Sequence, residues 1–109
     1  MLRFTIKEPW FSMILHREKL EEYRQIKEYW AVRLARYFDL KTCQPLNSTP
    51  AVPAVFVNGY QKDAPSFMTN VTLSIGGGRT EWGAVPGEIY YILHTGDCYN
   101  ITNTKETVP

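Results

Sequence analysis

Along the chain the spacing of apolar residues changes twice, and each change marks a different kind of element. Leu2, Phe4 and Ile6 alternate with Arg3, Thr5 and Lys7, the period-two pattern of a strand with one buried face. Pro9 suits the first turn of a helix, in which Trp10, Phe11, Ile14 and Leu15 return at helical spacing. Residues 17–40, REKLEEYRQIKEYWAVRLARYFDL, are rich in Glu, Lys, Arg and Leu. By propensity alone they form one long helix, with Leu20, Tyr23, Trp30, Leu34, Tyr37 and Phe38 partly on one face. Residues 43–53, CQPLNSTPAVP, carry three prolines and are expected as an irregular loop.

Beyond that loop the period returns to two. Ala54–Tyr60 is an apolar run that ends on the turn pair Asn58-Gly59. Phe67, Thr69, Val71, Leu73 and Ile75 alternate with Met68, Asn70, Thr72 and Ser74, and Gly76-Gly77-Gly78 closes that strand. Glu88–Thr95, between Gly87 and Gly96, is the fourth strand. Residues 98–109 are polar and expected to fray as a tail, which leaves 1–97 as the single domain. Several antiparallel strands with one to three short helices predict an α+β fold, and closure into a small mixed β-barrel would remove the sheet edges.

Composition narrows the function classes. A chain of 109 residues, 44% hydrophobic and 14% aromatic, builds one core and no more. The net charge of +1 excludes a generally polybasic or strongly acidic protein. The charge is uneven, however: residues 1–41 hold nine Lys/Arg against six Asp/Glu, and residues 42–109 hold three against five. A basic N-terminal part is compatible with an anionic ligand. No stretch approaches the roughly 18 apolar residues of a membrane helix. The start carries Arg3, Lys7 and Glu8 and lacks a small-residue cleavage site, so no signal peptide is expected. The sequons at Asn47, Asn70 and Asn100 then read as chance matches in an Asn/Thr-rich chain. Cys43 and Cys98 have neither CxxC nor CxxH spacing and are expected as free thiols in a reducing cytoplasm. His16 and His94, with few soft ligands around them, predict no metal site, and no cofactor motif is present.

The three consecutive glycines lack the GK[ST] and following helix of a phosphate loop, and neither a G-x-S-x-G elbow nor a Cys/His pair with an orienting acid occurs. Chemistry concentrates instead between His16 and Trp30, where Lys19, Glu22, Arg24 and Lys27 interleave with Tyr23, Tyr29 and Trp30. Cations that follow a phosphate backbone and rings that stack on splayed bases, at about 1–3 kcal/mol per base, suit a single-stranded nucleic acid. The same residues would also make a solvated amphipathic helix laced with Glu/Lys pairs.

These residues carry a family resemblance. Ile6-Lys7, Trp10-Phe11, Ile14-Leu15 and then Lys19-x-x-Glu22-Tyr23-Arg24 resemble the signature of ASCH domains, whose β-barrel is similar to the PUA fold. The usual motif reads Gly-x-Lys-x-x-Glu-x-Arg; Arg17 stands at the glycine, while Lys19, Glu22 and Arg24 match. The likeness continues through Ile26-Lys27-x-Tyr29-Trp30, Asn58-Gly59-Tyr60, Ser74-Ile75-Gly76-x-Gly78, Glu81-Trp82-Gly83 and Tyr90-Tyr91-Ile92-Leu93, covering nearly the whole chain in order.

The resemblance implies an extended Lys-x-x-Glu-x-Arg segment with helices on either side, which overrides the single long helix. On a strand Glu22 and Arg24 share a face, while Lys19 faces the other way unless a bulge or the strand entrance turns it. It further implies a cleft that binds RNA or a nucleotide-like ligand, lined by Lys19, Glu22 and Arg24, with Lys27, Tyr29 and Trp30 at its edge. Trp10, Ser66, Glu81 and Trp82 complete the candidate contacts. Glu22 and Arg24 either read the ligand as a pair or form an internal ion pair. Some small members remove the acetyl group of N4-acetylcytidine, and by that likeness Lys19 would be nucleophile or base, with Glu22 beside it. Threonines that follow the lysine in that subgroup are replaced here by Leu20 and Glu22. A protein-interaction module is the third class, since fold does not dictate function.

Overall fold

The computed structural model describes residues 1–41 and 50–104. Five strands and two helices follow in the order β1 (Leu2–Ile6), α1 (Trp10–Leu15), β2 (Glu21–Gln25), α2 (Glu28–Leu34), β3 (Val52–Asn58), β4 (Ser66–Gly77) and β5 (Ile89–Thr102). The strands form one mixed sheet in the order β1-β3-β4-β5-β2. β1 and β3 run parallel, with Leu2 opposite Ala54 and Ile6 opposite Asn58. The other three pairings are antiparallel. The α+β class therefore holds. The sheet has two edge strands, β1 and β2, and is not closed by a ladder into a barrel.

The alternation of β1 buries Leu2, Phe4 and Ile6. Their partners are Ala54 and Phe56 on β3, Phe67, Val71 and Leu73 on β4, and Leu93 on β5. Aromatic rings carry much of this packing: Phe56 stacks on Phe67 at 5.4 Å, Phe4 meets Phe56 at 5.3 Å, and Phe11 from α1 meets Phe67 at 5.0 Å. α1 adds Ile14 and Leu15 to the same core. Its first turn is held by Glu8, whose carboxylate accepts from the Ser12 amide at 2.9 Å and the Ser12 hydroxyl at 2.6 Å.

Residues 17–40 do not form one helix. Arg17 adopts φ 62°, the left-handed region that ends helices, and the amides of Glu18 and Lys19 both turn back to the Met13 carbonyl. Five residues then pair with β5, Glu21 opposite His94 through Gln25 opposite Tyr90. Tertiary pairing thus overrides helix propensity across the extended segment, and only Glu28–Leu34 stays helical. The left-handed position coincides with the glycine of the resembled motif.

Three further expectations are corrected. The expected 43–53 loop gives up Val52 and Pro53 to β3; residues 42–49, Cys43 among them, lie outside the described residues. Gly96 does not end the last strand. Register shifts near Thr69 let β5 continue, and the Thr69 hydroxyl accepts from the Gly96 amide and donates to its carbonyl, each at 2.9 Å. Residues 98–102, expected in a frayed tail, pair with Ser66–Thr69 instead, Cys98 opposite Thr69 and Thr102 opposite Ser66. Among the described residues no helix is long and apolar enough to cross a membrane.

Candidate functional site

β2 carries the charged motif to the edge of the sheet beside β1. Glu22, buried, is its hub: one carboxylate oxygen accepts from Lys19 Nζ at 2.8 Å and the other from Arg24 Nη1 at 2.6 Å. Lys19 reaches this side because it precedes the strand and enters it from the left-handed turn at Arg17, so strand alternation does not apply to it. Its ammonium also donates to the Trp82 carbonyl at 3.0 Å and lies 5.2 Å from the Trp10 ring and 5.0 Å from the Tyr23 ring. With 1% of its surface exposed, Lys19 is enclosed on all sides. Burial pushes its pKa down from the ordinary lysine value, against the pull of the Glu22 carboxylate.

Arg24 spans the two sheet edges. Its Nη1 also donates to the Tyr23 carbonyl at 2.9 Å, and its Nη2 reaches the Thr5 carbonyl of β1 at 3.3 Å. The guanidinium lies 5.2 Å from the Phe4 ring and 5.1 Å from the Trp30 ring of α2, two rings that stack on each other at 5.8 Å. Glu22 and Arg24 therefore form the internal ion pair that was one of the two alternatives. Every buried side-chain nitrogen and oxygen among the described residues has a partner.

Against this charged group opens a cleft of about 650 Å³. Glu22 and Arg24 form part of its floor, and Trp10, Tyr29, Trp30 and Tyr60 wall it. Arg3, Thr5 and Lys7, the polar face of β1, line one side, and the Asn58-Gly59 turn closes the end. The lining carries three cations, Arg3, Lys7 and Arg24, against one carboxylate, and Glu22 is already shared between Lys19 and Arg24. The cleft is electropositive and aromatic at once.

The structure thus brings Glu22, Arg24, Trp10, Tyr29 and Trp30 together at the cleft. Lys19 lies behind Glu22 and does not line it. Lys27 is exposed beside the Tyr29 ring at 5.8 Å, and it too is outside the lining. Trp82 supplies a backbone carbonyl to Lys19 while its indole donates to the Glu18 carbonyl at 3.1 Å. Glu81 pairs with Arg79 at 2.8 Å on the exposed surface, and the Ser66 hydroxyl bonds Thr102 at 2.6 Å. Neither belongs to the cleft, because each side chain is taken up by a local partner. Arg3, Lys7 and Tyr60 line the cleft but are not among the candidate contacts read from the sequence. For the first two a signal existed, since Arg3, Thr5 and Lys7 alternate with the core residues of β1.

Beyond the cleft, Cys98 is a free thiol whose pKa burial pushes up to about 11, which favours the protonated form at neutral pH. Among the described residues no three His, Cys, Asp or Glu side chains gather in a way that could hold a metal ion. Comparison with family models, with curated proteins and with solved structures finds no match to this chain.

Proposed function

We propose that this chain is an ASCH-type domain of PUA-like architecture, working in the cytoplasm, that binds RNA or a nucleotide-like ligand in the cleft beside β1 and β2. One observation carries the reading: three cations face one already-shared carboxylate in a cavity walled by four aromatic rings. Rings of this kind stack on a base for about 1–3 kcal/mol, and Arg3 and Lys7 supply charge for a phosphate. Arg24, tied to Glu22, Tyr23 and Thr5, positions the Trp30 wall as well as adding charge. Its bridge from β2 to β1 supports barrel-like curvature of the sheet, and the left-handed Arg17 at the motif's glycine position supports the family resemblance.

The test is a calorimetric titration with cytidine, cytidine 5′-monophosphate, adenosine and adenosine 5′-monophosphate. At least one nucleotide should bind about tenfold more tightly than its nucleoside at low salt, and the gap should narrow as salt rises. Equal affinity for nucleotide and nucleoside would remove the cationic wall from the reading, and no binding by folded protein would end it.

Hydrolysis of an N4-acetylated cytidine through Lys19 is the second reading, favoured by the downward shift of its pKa. Against it, the ammonium spends its protons on Glu22 and Trp82 and does not line the cleft. Acetate released from N4-acetylcytidine, and abolished by Lys19→Met, would reverse that order.

A further inference from the structure

A second concavity, of about 160 Å³, adjoins the cleft and shares Arg3 and Trp30 with it. It lies where α2 passes the start of β1, and its other charged lining residues are Arg33 and Arg36. Three arginines therefore line a small space that holds no carboxylate among the described residues. The helix dictates the placement: Trp30, Arg33 and Tyr37 recur at spacings of three and four, and the backbone bonds of Arg36 and Tyr37 to Arg33 and Leu34 continue the turn past the end of α2. Arg33 is held in position, its guanidinium 3.5 Å from the centre of the Tyr29 ring and bonded to the Tyr29 carbonyl at 3.0 Å. Tyr29 in turn meets Trp30 edge-on at 5.0 Å, so the arginine groove and the aromatic wall of the cleft are one packed unit.

Arginine guanidiniums are matched to phosphate oxygens, and Arg33, already held on Tyr29, has little conformational entropy left to lose on binding. Arg33 and Arg36 line this groove and not the cleft. We infer that the Arg3–Arg33–Arg36 groove is a second phosphate site that takes the neighbouring phosphodiester of a single-stranded nucleic acid whose base occupies the cleft. This rests on the nucleotide reading above and extends it: the ligand is a strand, with Arg3 and Trp30 at the boundary between one nucleotide and the next.

The experiment compares cytidine and adenosine 5′-monophosphates with the single-stranded RNA octamers C8 and A8, on wild type and on Arg36→Ala and Arg36→Glu. Arg36 is exposed and lines the groove but not the cleft, so neither change touches the cleft. At least one octamer should bind ten times or more as tightly as its mononucleotide. Arg36→Glu should weaken that octamer about tenfold and leave the mononucleotide within about twofold. Arg36→Ala should lower the slope of log affinity against log salt by about 0.7, the loss of one phosphate contact. Octamer and mononucleotide binding equally well, or an Arg36→Glu effect of equal size on both, would overturn the second site while the cleft reading stands. Binding of neither ligand to folded wild type would overturn both.

Discussion

The two sides of β2 use similar residues to opposite ends. On one side Glu22 and Arg24 meet Lys19 at the floor of a cleft of about 650 Å³. On the other, Glu21 lies 3.5 Å from His94 Nδ1, His94 Nε2 lies 2.7 Å from the Ser74 hydroxyl, and Tyr23 donates to Glu21 at 2.7 Å while accepting from the Arg79 amide at 2.9 Å. The Ser-His-Glu sequence of contacts invites a catalytic reading. Ser74 is buried, however, and the neighbouring turn is packed so closely that a Cβ at Gly78 would sit 2.7 Å from the Ala84 Cβ and from the Tyr23 ring. The members of this cluster bond one another, and the turn beside them is closely packed. What distinguishes the cleft side is space, aromatic walls and cations in excess of the carboxylate available to them.

The largest expected effect is on the cleft side. Glu22→Ala leaves Lys19 and Arg24 without their shared carboxylate, and removing one partner of a buried ion pair costs about 3–5 kcal/mol. Urea unfolding would read this; a loss below about 1 kcal/mol would mean that the charged group does not hold the two sheet edges. On the packed side, Gly78→Ala should cost about 1–3 kcal/mol by overpacking against Ala84 and Tyr23. Unchanged stability in that variant would show room on this side and weaken the contrast.

Tyr23→Phe removes two hydrogen bonds and should cost about 1 kcal/mol near neutral pH. Here pH sharpens the contrast. Burial raises the Tyr23 phenol above its ordinary value of 10.0, so the native state keeps a proton that the unfolded chain begins to lose there. The stabilisation by this group is complete below about pH 10 and falls as the pH rises beyond it. The difference between wild type and Tyr23→Phe should therefore shrink in alkaline unfolding curves. A constant difference would place the phenol in water. Smallest in stability are Arg3→Ala and Lys7→Ala, each within about 0.5 kcal/mol because both are exposed. Each should nevertheless weaken nucleotide binding several-fold by titration. A stability loss without a binding loss would make them structural.

Propensity made the motif helical and the family resemblance made it extended, with the Glu22–Arg24 ion pair as one of two readings; the structure has the strand and the ion pair. Lys19, Glu22 and Arg24 were legible from their spacing, yet the ion pairs that join them, and the enclosure of Lys19, depend on Trp82 some 63 residues away. Arg3 and Lys7 read as the wet face of β1, and only the approach of β2, through Arg24 to Thr5, turns that face into a wall. Helix propensity failed across residues 21–25 because the pairing partner lies on β5. Gly96 misled for a related reason, since the Thr69 hydroxyl carries the strand through it.

The three tryptophans provide the most direct test. Trp10 and Trp30 wall the cleft, whereas the Trp82 indole is tied to the Glu18 carbonyl outside it. Their indole N–H resonances, followed by NMR during titration with cytidine and adenosine 5′-monophosphates, report on the site and carry their own control. The account predicts that the Trp10 and Trp30 signals move in a saturable way with at least one nucleotide while Trp82 stays in place. Three unmoved indoles at saturating nucleotide, or a response led by Trp82, would contradict it.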